Sequence, residues 1–233
     1  MRMQVIIALV VLAITGGVFL YMNSNNETAD LDNTGTIRYL PIGDSYTIGN
    51  GVLEEDRWPN VLSRHLNEAG TKIQIIGNPA VSGFDVLDAA EYELPVVKEL
   101  QPDFVTILIG ANDNFRGKSP EVYHKELADL LDELQALMQR SENIVLVTIP
   151  DYSYSPAARD FETEEVSESI QKYNDIIKSE ALKRNLPVAD IFPISQTMTG
   201  SEDYISDGLH PSALGYSKWE KVIYPVVFDF LKE

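Results

Sequence analysis

The stretch Tyr39-Leu40-Pro41-Ile42-Gly43-Asp44-Ser45-Tyr46-Thr47 joins a short apolar run to a polar turn. The apolar part, Ile37–Ile42, predicts a buried strand, and the Gly-Asp-Ser turn with the polar residues after it predicts a loop. A serine at the exit of a buried strand can hold its hydroxyl above the end of a sheet, where a base can reach it. The tripeptide is also ordinary turn chemistry, so its meaning depends on the rest of the chain.

Apolar runs and amphipathic helical patterns alternate along the rest of the chain. Four further strand-like runs are Lys72–Ile76, Phe104–Ile109, Ile144–Ile149 and Pro187–Ile191. Helical patterns occupy Trp58–Glu68, Val86–Leu100, Pro120–Arg140, Thr163–Arg184 and Ser212–Lys232, and the second is the least regular. Near-continuous apolar strands between amphipathic helices are typical of a parallel sheet covered on both faces. The chain is therefore predicted to form a three-layer α/β/α sandwich with a mostly parallel sheet of about five strands.

Small and polar residues follow nearly every predicted strand. They are Gly43-Asp44-Ser45; Gly77-Asn78-Pro79 leading to Ser82-Gly83; Gly110-Ala111-Asn112-Asp113; Pro150-Asp151-Tyr152; and a loop ending in Asp207-Gly208-Leu209-His210. Ligands of such sheets bind beyond the carboxyl ends of the strands. We therefore expect a serine, a glycine, an asparagine, an aspartate and a histidine to lie at one end of the sheet.

These residue types suit nucleophilic attack on an ester carbonyl, which needs an activated hydroxyl, a base, a group that orients the base and donors for the oxyanion. Ser45 supplies the hydroxyl. His210 is the best base, because it lies in a loop three residues from Asp207, whose carboxylate can fix the imidazole tautomer. The backbone N–H groups of Ser45 and Gly83, with the side-chain amide of Asn112, make a three-donor oxyanion hole.

Four separated blocks of the chain resemble the SGNH hydrolases, also called GDSL-type esterases and lipases. They are Gly43-Asp44-Ser45-Tyr46-Thr47, Ser82-Gly83, Gly110-Ala111-Asn112-Asp113 and Asp207-Gly208-Leu209-His210-Pro211, in the family's order. Each block taken singly is also typical of a turn or a helix N-cap. The resemblance extends from about Ile37 to the C-terminus. It implies a flavodoxin-like SGNH hydrolase fold that uses no metal or cofactor. By the same resemblance, Ser45 is the nucleophile, His210 is the base and Asp207 is the partner of the base. The oxyanion donors are then Gly83 and Asn112.

Two positions need comment within this resemblance. Tyr46 stands where many members have leucine, and we expect no effect on the chemistry because the residue only follows the nucleophile. Gly77 competes with Gly83 for the second block. Gly83 is favoured, because Ser82-Gly83 leads directly into the next helical pattern.

The composition argues against several classes of binding partner and of catalytic chemistry. The 233 residues carry a net charge of −18, which argues against nucleic-acid binding and against electrostatic docking on an anionic membrane. The absence of cysteine excludes disulfides, thiolate metal sites and cysteine nucleophiles. With only three histidines, a histidine-rich metal site is not expected either.

The N-terminal segment predicts a membrane anchor. Val5–Met22 is uncharged and almost wholly apolar, follows Arg2, and is roughly long enough to cross a bilayer. We predict a cytoplasmic N-terminus (residues 1–4), a transmembrane anchor (5–22), a polar linker (23–35) and a hydrolase domain (36–233) outside the cytoplasm. A cleaved signal peptide, which would leave a secreted protein, and a buried helix are the alternatives.

The function predicted from these features is that of a membrane-anchored serine esterase that works through an acyl-enzyme. Acetyl or other short-acyl esters of carbohydrates are the preferred substrates, and lysophospholipid-type lipids come next. Two alternatives remain: acyl transfer to an envelope glycan by the same machinery, and a non-catalytic surface module that binds glycan in the cleft. No feature of the sequence indicates an oligomeric state or an acyl-chain length.

Overall fold

The strands and helices follow the alternation predicted from the sequence. The computed structural model describes residues 35–158 and 163–232. The strands are β1 (Ile37–Gly43), β2 (Ile73–Ile75), β3 (Phe104–Leu108), β4 (Ile144–Val147) and β5 (Val188–Ala189). The α-helices are α1 (Ser45–Ile48), α2 (Trp58–Glu68), α3 (Val86–Asp88), α4 (Leu94–Leu100), α5 (Ala111–Phe115), α6 (Pro120–Leu137), α7 (Thr163–Arg184), α8 (Phe192–Ser195) and α9 (Ala213–Phe230). Single 3₁₀ turns lie at Glu54–Asp56, Tyr152–Tyr154, Pro156–Ala158 and Ser201–Asp203.

All five strands are parallel and lie in the order β2-β1-β3-β4-β5. Tyr39 of β1 is opposite Phe104 of β3, and Gly43 is opposite Leu108, so the two strands end level with each other. This is the flavodoxin-type order, in which the chain reverses its direction of travel between β1 and β3. The crevice beyond the carboxyl ends of these two strands is therefore where the fold favours a ligand. The predicted α/β fold with a five-stranded parallel sheet is confirmed.

The helices form two groups that bury their apolar sides. Helices α2 and α9 contact each other, with Trp58 and Trp219 buried, while α4, α6 and α7 form the second contacting group. Every residue of β3 and of β4 is buried. Strands that are buried throughout their length require apolar cover on both faces. The apolar sides of the two groups of helices supply this cover.

The least regular helical pattern, Val86–Leu100, does not form one α-helix. The wide π-helical segment Ala89–Glu93 lies between α3 and α4, and the Leu94 N–H bonds the carbonyl of Ala89, five residues earlier. Pro95 explains the change, because proline has no N–H to continue the regular ladder. The wider turn carries Glu93, whose side chain is fully buried beside β1. Such turns are common at functional sites.

The predicted anchor (residues 5–22), the N-terminus (1–4) and nearly all of the linker (23–35) lie outside the described residues. Within residues 35–158 and 163–232, no helix is both long and apolar enough to span a bilayer.

Candidate active site

The turn after β1 presents Ser45 at the first position of helix α1. Gly43 has φ of 149°, and a Cβ there would lie 2.2 Å from the carbonyl oxygen of Leu108, so only glycine fits between the two strands. Asp44 caps α1 by accepting a hydrogen bond from the Tyr46 N–H at 2.9 Å. Ser45 is 8% exposed, and its hydroxyl makes no hydrogen bond to any described residue. The hydroxyl is thus held at the end of the sheet and is free for a base or a substrate.

Two buried carboxyl groups lie at this turn: Asp44 belongs to it, and Glu93 is bonded to it. Glu93 Oε2 accepts a hydrogen bond from the Gly43 N–H at 2.8 Å, and Oε1 has no partner among the described residues. Burial raises the pKa of Glu93 well above its usual range, although the bond from Gly43 opposes the shift. Burial likewise raises the pKa of Asp44 to about 7, against the effect of its bond from Tyr46. Burial therefore favours the protonated form of both carboxyl groups, Asp44 and Glu93, at the turn that carries Ser45.

His210 and Asp207 form a hydrogen-bonded pair in the loop that precedes α9. The imidazole Nδ1 lies 2.6 Å from Asp207 Oδ2, and Asp207 Oδ1 accepts the backbone N–H groups of Leu209 at 2.8 Å and His210 at 2.9 Å. Partial burial acts to raise the pKa of Asp207, but the bonds from the His210 ring and main chain outweigh it and the pKa lies below its usual value. A carboxylate acceptor at Nδ1 keeps that nitrogen protonated and leaves Nε2 as the basic nitrogen of the ring.

Residues next to Ser45 bring this histidine to the same end of the sheet. The ring of Tyr46 lies 5.7 Å from the His210 ring and 5.3 Å from that of Trp219, and Tyr46 is only 4% exposed. The Asn50 amide nitrogen lies 3.5 Å from His210 Nδ1. From the sequence, Tyr46 is expected to have no effect on the chemistry, and Asn50 is not among the predicted site residues. Neither contact has a signal in the sequence, because each joins residues about 160 positions apart.

The two candidate glycines of the second block differ in their surroundings. Gly83 has φ of 90°, its N–H makes no hydrogen bond to a described residue, and a Cβ there would lie 4.0 Å from Arg116 Nη2. Gly77 instead packs against side chains: a Cβ there would lie 3.2 Å from Leu100 and 3.4 Å from Leu40. Gly77 is thus suited to close packing, while Gly83 offers a free donor.

Asn112 lies on helix α5, directly after β3, and its amide joins the other segments of the site. The Nδ2 group donates to the carbonyl of Phe84 at 2.9 Å and, less closely, to Asp44 Oδ2 at 3.3 Å. These bonds link the Gly83 loop, the Asn112 helix and the Ser45 turn. An oxyanion near Ser45 has to replace only the weaker of the two acceptors to receive an N–H of Asn112.

The structure thus gathers the five residues chosen from the sequence around the carboxyl ends of β1 and β3. Ser45 and Asn112 meet through Asp44, Gly83 and Asn112 through Phe84, and Ser45 and His210 through Tyr46 and Asn50. A free hydroxyl, a histidine paired with a carboxylate and uncharged N–H donors can together support acyl chemistry.

Known proteins similar to this chain include esterases and acylhydrolases. Residues 42–218 match the model of the GDSL-like lipase/acylhydrolase family. A multidomain esterase of Ruminococcus flavefaciens is 27% identical over 85% of this chain, which spans only 29% of that relative's length. An arylesterase of Vibrio mimicus is 28% identical over 75% of this chain and 80% of its own. The crystal structure of an acetylxylan esterase from Geobacillus stearothermophilus superposes with a TM-score of 0.65 at 20% identity, covering 82% of this chain and 94% of its own.

The chain belongs to the GDSL-like lipase/acylhydrolase family, since the family model matches well over half of its length. The resemblance inferred from four short blocks is confirmed, and so is the predicted enzyme class, carboxylic ester hydrolase.

Proposed function

We propose that this protein hydrolyses carboxylic esters with Ser45 as nucleophile, His210 as general base and Asp207 as the partner that orients the base. Ser45 Oγ bonds to the carbonyl carbon while its proton passes to His210 Nε2. That proton then goes to the departing alcohol as the ester C–O bond breaks. Water attacks the acyl-enzyme in the same way, and the acid and free Ser45 result.

The oxyanion of each tetrahedral intermediate accepts hydrogen bonds from the N–H groups of Ser45 and Gly83 and from the amide of Asn112. The first two N–H groups have no acceptor among the described residues. Asn112 exchanges its 3.3 Å contact with Asp44 for the oxyanion. Donors already in position are worth about 3–4 kcal/mol each in similar sites.

The observation that carries the proposal is the bond between His210 Nδ1 and Asp207 at 2.6 Å, close to the turn that presents Ser45. Both groups lie in the partly exposed loop that precedes α9. A histidine oriented in this way beside a serine without a partner has a direct use in acyl transfer to water and little use in stability.

We propose acetyl or short-acyl esters of carbohydrates as the substrates. Two exposed polar residues, Asn50 bonded to the Ser45 carbonyl and Ser82 next to Gly83 in the chain, suit a hydroxyl-rich alcohol. The net charge of −18 disfavours anionic lipid surfaces and head groups. The relative of known structure that acts on acetylxylan supports the same choice. Lysophospholipid-type esters are the second candidate.

The test treats the full chain and a Ser45→Ala variant with a fluorophosphonate probe, and follows hydrolysis of p-nitrophenyl acetate and octanoate. We expect labelling and turnover that vanish in the variant, with acetate preferred. Product formed by transfer to an added sugar, in excess over hydrolysis, would identify an acyltransferase instead. A folded parent protein that neither labels nor turns over would leave only the glycan-binding module.

We further propose that residues 5–22 anchor the hydrolase domain outside the cytoplasm, on the strength of their apolar run after Arg2. Membrane fractionation with N-terminal sequencing tests this. A mature protein that begins after residue 22 would show cleavage and refute the anchor.

A further inference from the structure

The exposed side chain of Arg116 ties the Gly83 loop to the helix that carries Asn112. The Nη2 group donates to the carbonyl oxygen of Gly83 at 2.7 Å, and Nη1 donates to Asp85 Oδ2 at 2.9 Å. The Arg116 N–H bonds to the Asn112 carbonyl at 3.0 Å, so the same residue is joined to both segments. This arginine is not among the residues predicted from the sequence.

Two further hydrogen bonds join the Gly83 loop to the helix that carries Asn112. The carbonyl of Phe84 accepts the Asn112 amide at 2.9 Å, and the N–H of Val86 donates to Asp113 Oδ2 at 3.1 Å. With the Arg116 contacts, every residue from 83 to 86 is therefore bonded to the segment 112–116. The loop that would supply the Gly83 donor is thus bonded along its length to the helix that would supply the Asn112 donor.

Only the Gly83 end of this attachment depends wholly on Arg116. Asp85 also accepts the N–H groups of Leu87 and Asp88 and lies 3.8 Å from Lys118 Nζ, so it keeps other partners without the arginine. The Gly83 carbonyl has no other donor among the described residues. Glycine has a wide conformational range, and its N–H direction changes as its backbone rotates.

We propose that Arg116 is a positioning residue that aims the Gly83 N–H at the oxyanion and keeps it in register with the Asn112 amide. This rests on the proposed esterase function. The planar guanidinium reaches two acceptors at once, which a lysine ammonium on its flexible stem does not reproduce. The Arg116 side chain is 51% exposed, and ion pairs so exposed contribute little to stability. Its removal therefore affects catalysis far more than folding.

The experiment compares Arg116→Ala and Arg116→Lys with the parent protein on p-nitrophenyl acetate, with sites counted by fluorophosphonate labelling. Losing an oxyanion donor outright costs about 10²–10³ in kcat, and Arg116→Ala misdirects one donor without deleting it. We expect kcat to fall about 30-fold, KM to stay nearly constant, and added guanidinium to restore part of kcat. Arg116→Lys should fall between the two, and Tm should hardly change. Arg140→Ala is the matched control, because the only ion pair of Arg140 within residues 35–158 and 163–232 is an exposed one with Glu142.

The outcomes separate this inference from the proposed function. An active parent with Arg116→Ala and Arg116→Lys within threefold of its kcat overturns the role of Arg116 alone. A loss that appears in KM, or that guanidinium does not reverse in any part, overturns it as well. If Arg116→Ala does not fold, Arg116→Lys carries the test by the same criteria. A parent protein without turnover overturns the esterase proposal itself.

Discussion

Replacement of Asp207 by asparagine tests the proposed triad most directly, because the structure separates the two oxygens of the carboxylate by role. Oδ1 accepts the backbone N–H groups of Leu209 and His210, and an amide oxygen can accept the same two bonds. Oδ2 faces His210 Nδ1 at 2.6 Å. In Asp207→Asn this oxygen becomes an NH₂ donor, so the loop keeps its shape while the contact to the ring is inverted.

The amide donor makes Nδ1 an acceptor and places the ring proton on Nε2, which then cannot take the proton of Ser45. For a buried aspartate this change costs about 10⁴ in kcat. Asp207 is 39% exposed, so solvent weakens its effect. We therefore expect kcat to fall about 10³-fold, equivalent to about 4 kcal/mol of barrier.

The assay is kcat on p-nitrophenyl acetate per fluorophosphonate-reactive site, with urea unfolding in parallel. The free energy of unfolding should change by less than about 1 kcal/mol near pH 7, because the pair is partly exposed. The lowered pKa of Asp207 means that this small contribution is present above its usual pKa and is lost on acidification. Asp129→Asn, which removes an exposed pair with Lys125, is the matched control. A kcat within threefold of the parent would refute the assignment of Asp207.

Two further predictions concern residues beside Ser45. Tyr46→Leu removes the ring that contacts His210 and Trp219. It should lower the free energy of unfolding by about 1 kcal/mol and raise the catalytic barrier by about as much, which lowers kcat about fivefold. Tyr46→Phe keeps the ring and should keep both quantities, and equal kcat values for the two variants would mean that the ring does not position His210. Asp44, with its pKa raised from 3.8 to about 7, keeps a proton in the folded state that the unfolded chain releases, so stability falls as pH rises through that window. Asp44→Asn lacks this titration. The free energy of unfolding of the variant relative to the parent, measured in urea, should therefore rise by roughly 4 kcal/mol between pH 4 and pH 8. Parallel pH profiles for the two proteins would contradict this prediction.

The secondary structure could be predicted from the sequence because its signals are local. The helix Trp58–Glu68 has the bounds that its apolar spacing predicts, and β1 ends at the glycine of the Gly-Asp-Ser turn. Spacing of apolar residues decides which face of a helix or strand is buried, and neighbours in the chain are enough to reveal it. The exception is Ala89–Glu93, which forms a π-helical turn before Pro95 inside a pattern that predicts one α-helix. Apolar spacing does not express the effect of proline, because that effect depends on which backbone hydrogen bonds remain.

The candidate residues could also be selected from the sequence, because parallel strands place the residues after them at one edge of the sheet. Ser45 and Asn112 follow β1 and β3, which are neighbours in the sheet although 68 residues separate Asp44 from Asn112. The choice between Gly83 and Gly77 was harder on sequence grounds. It rests on which glycine packs against Leu40 and Leu100, a contact that the local sequence does not contain.

The sequence by itself determined the α/β class and the family and selected the candidate site residues, since composition, periodicity and short blocks express these directly. Only the tertiary structure decided the order of the strands, the ring of Tyr46 beside His210, the bond from Arg116 to Gly83 and the buried carboxyl of Glu93 behind the turn. Each of these joins residues far apart in the chain. Their partners are chosen by packing and by the need to satisfy buried polar groups, which act on the folded chain as a whole.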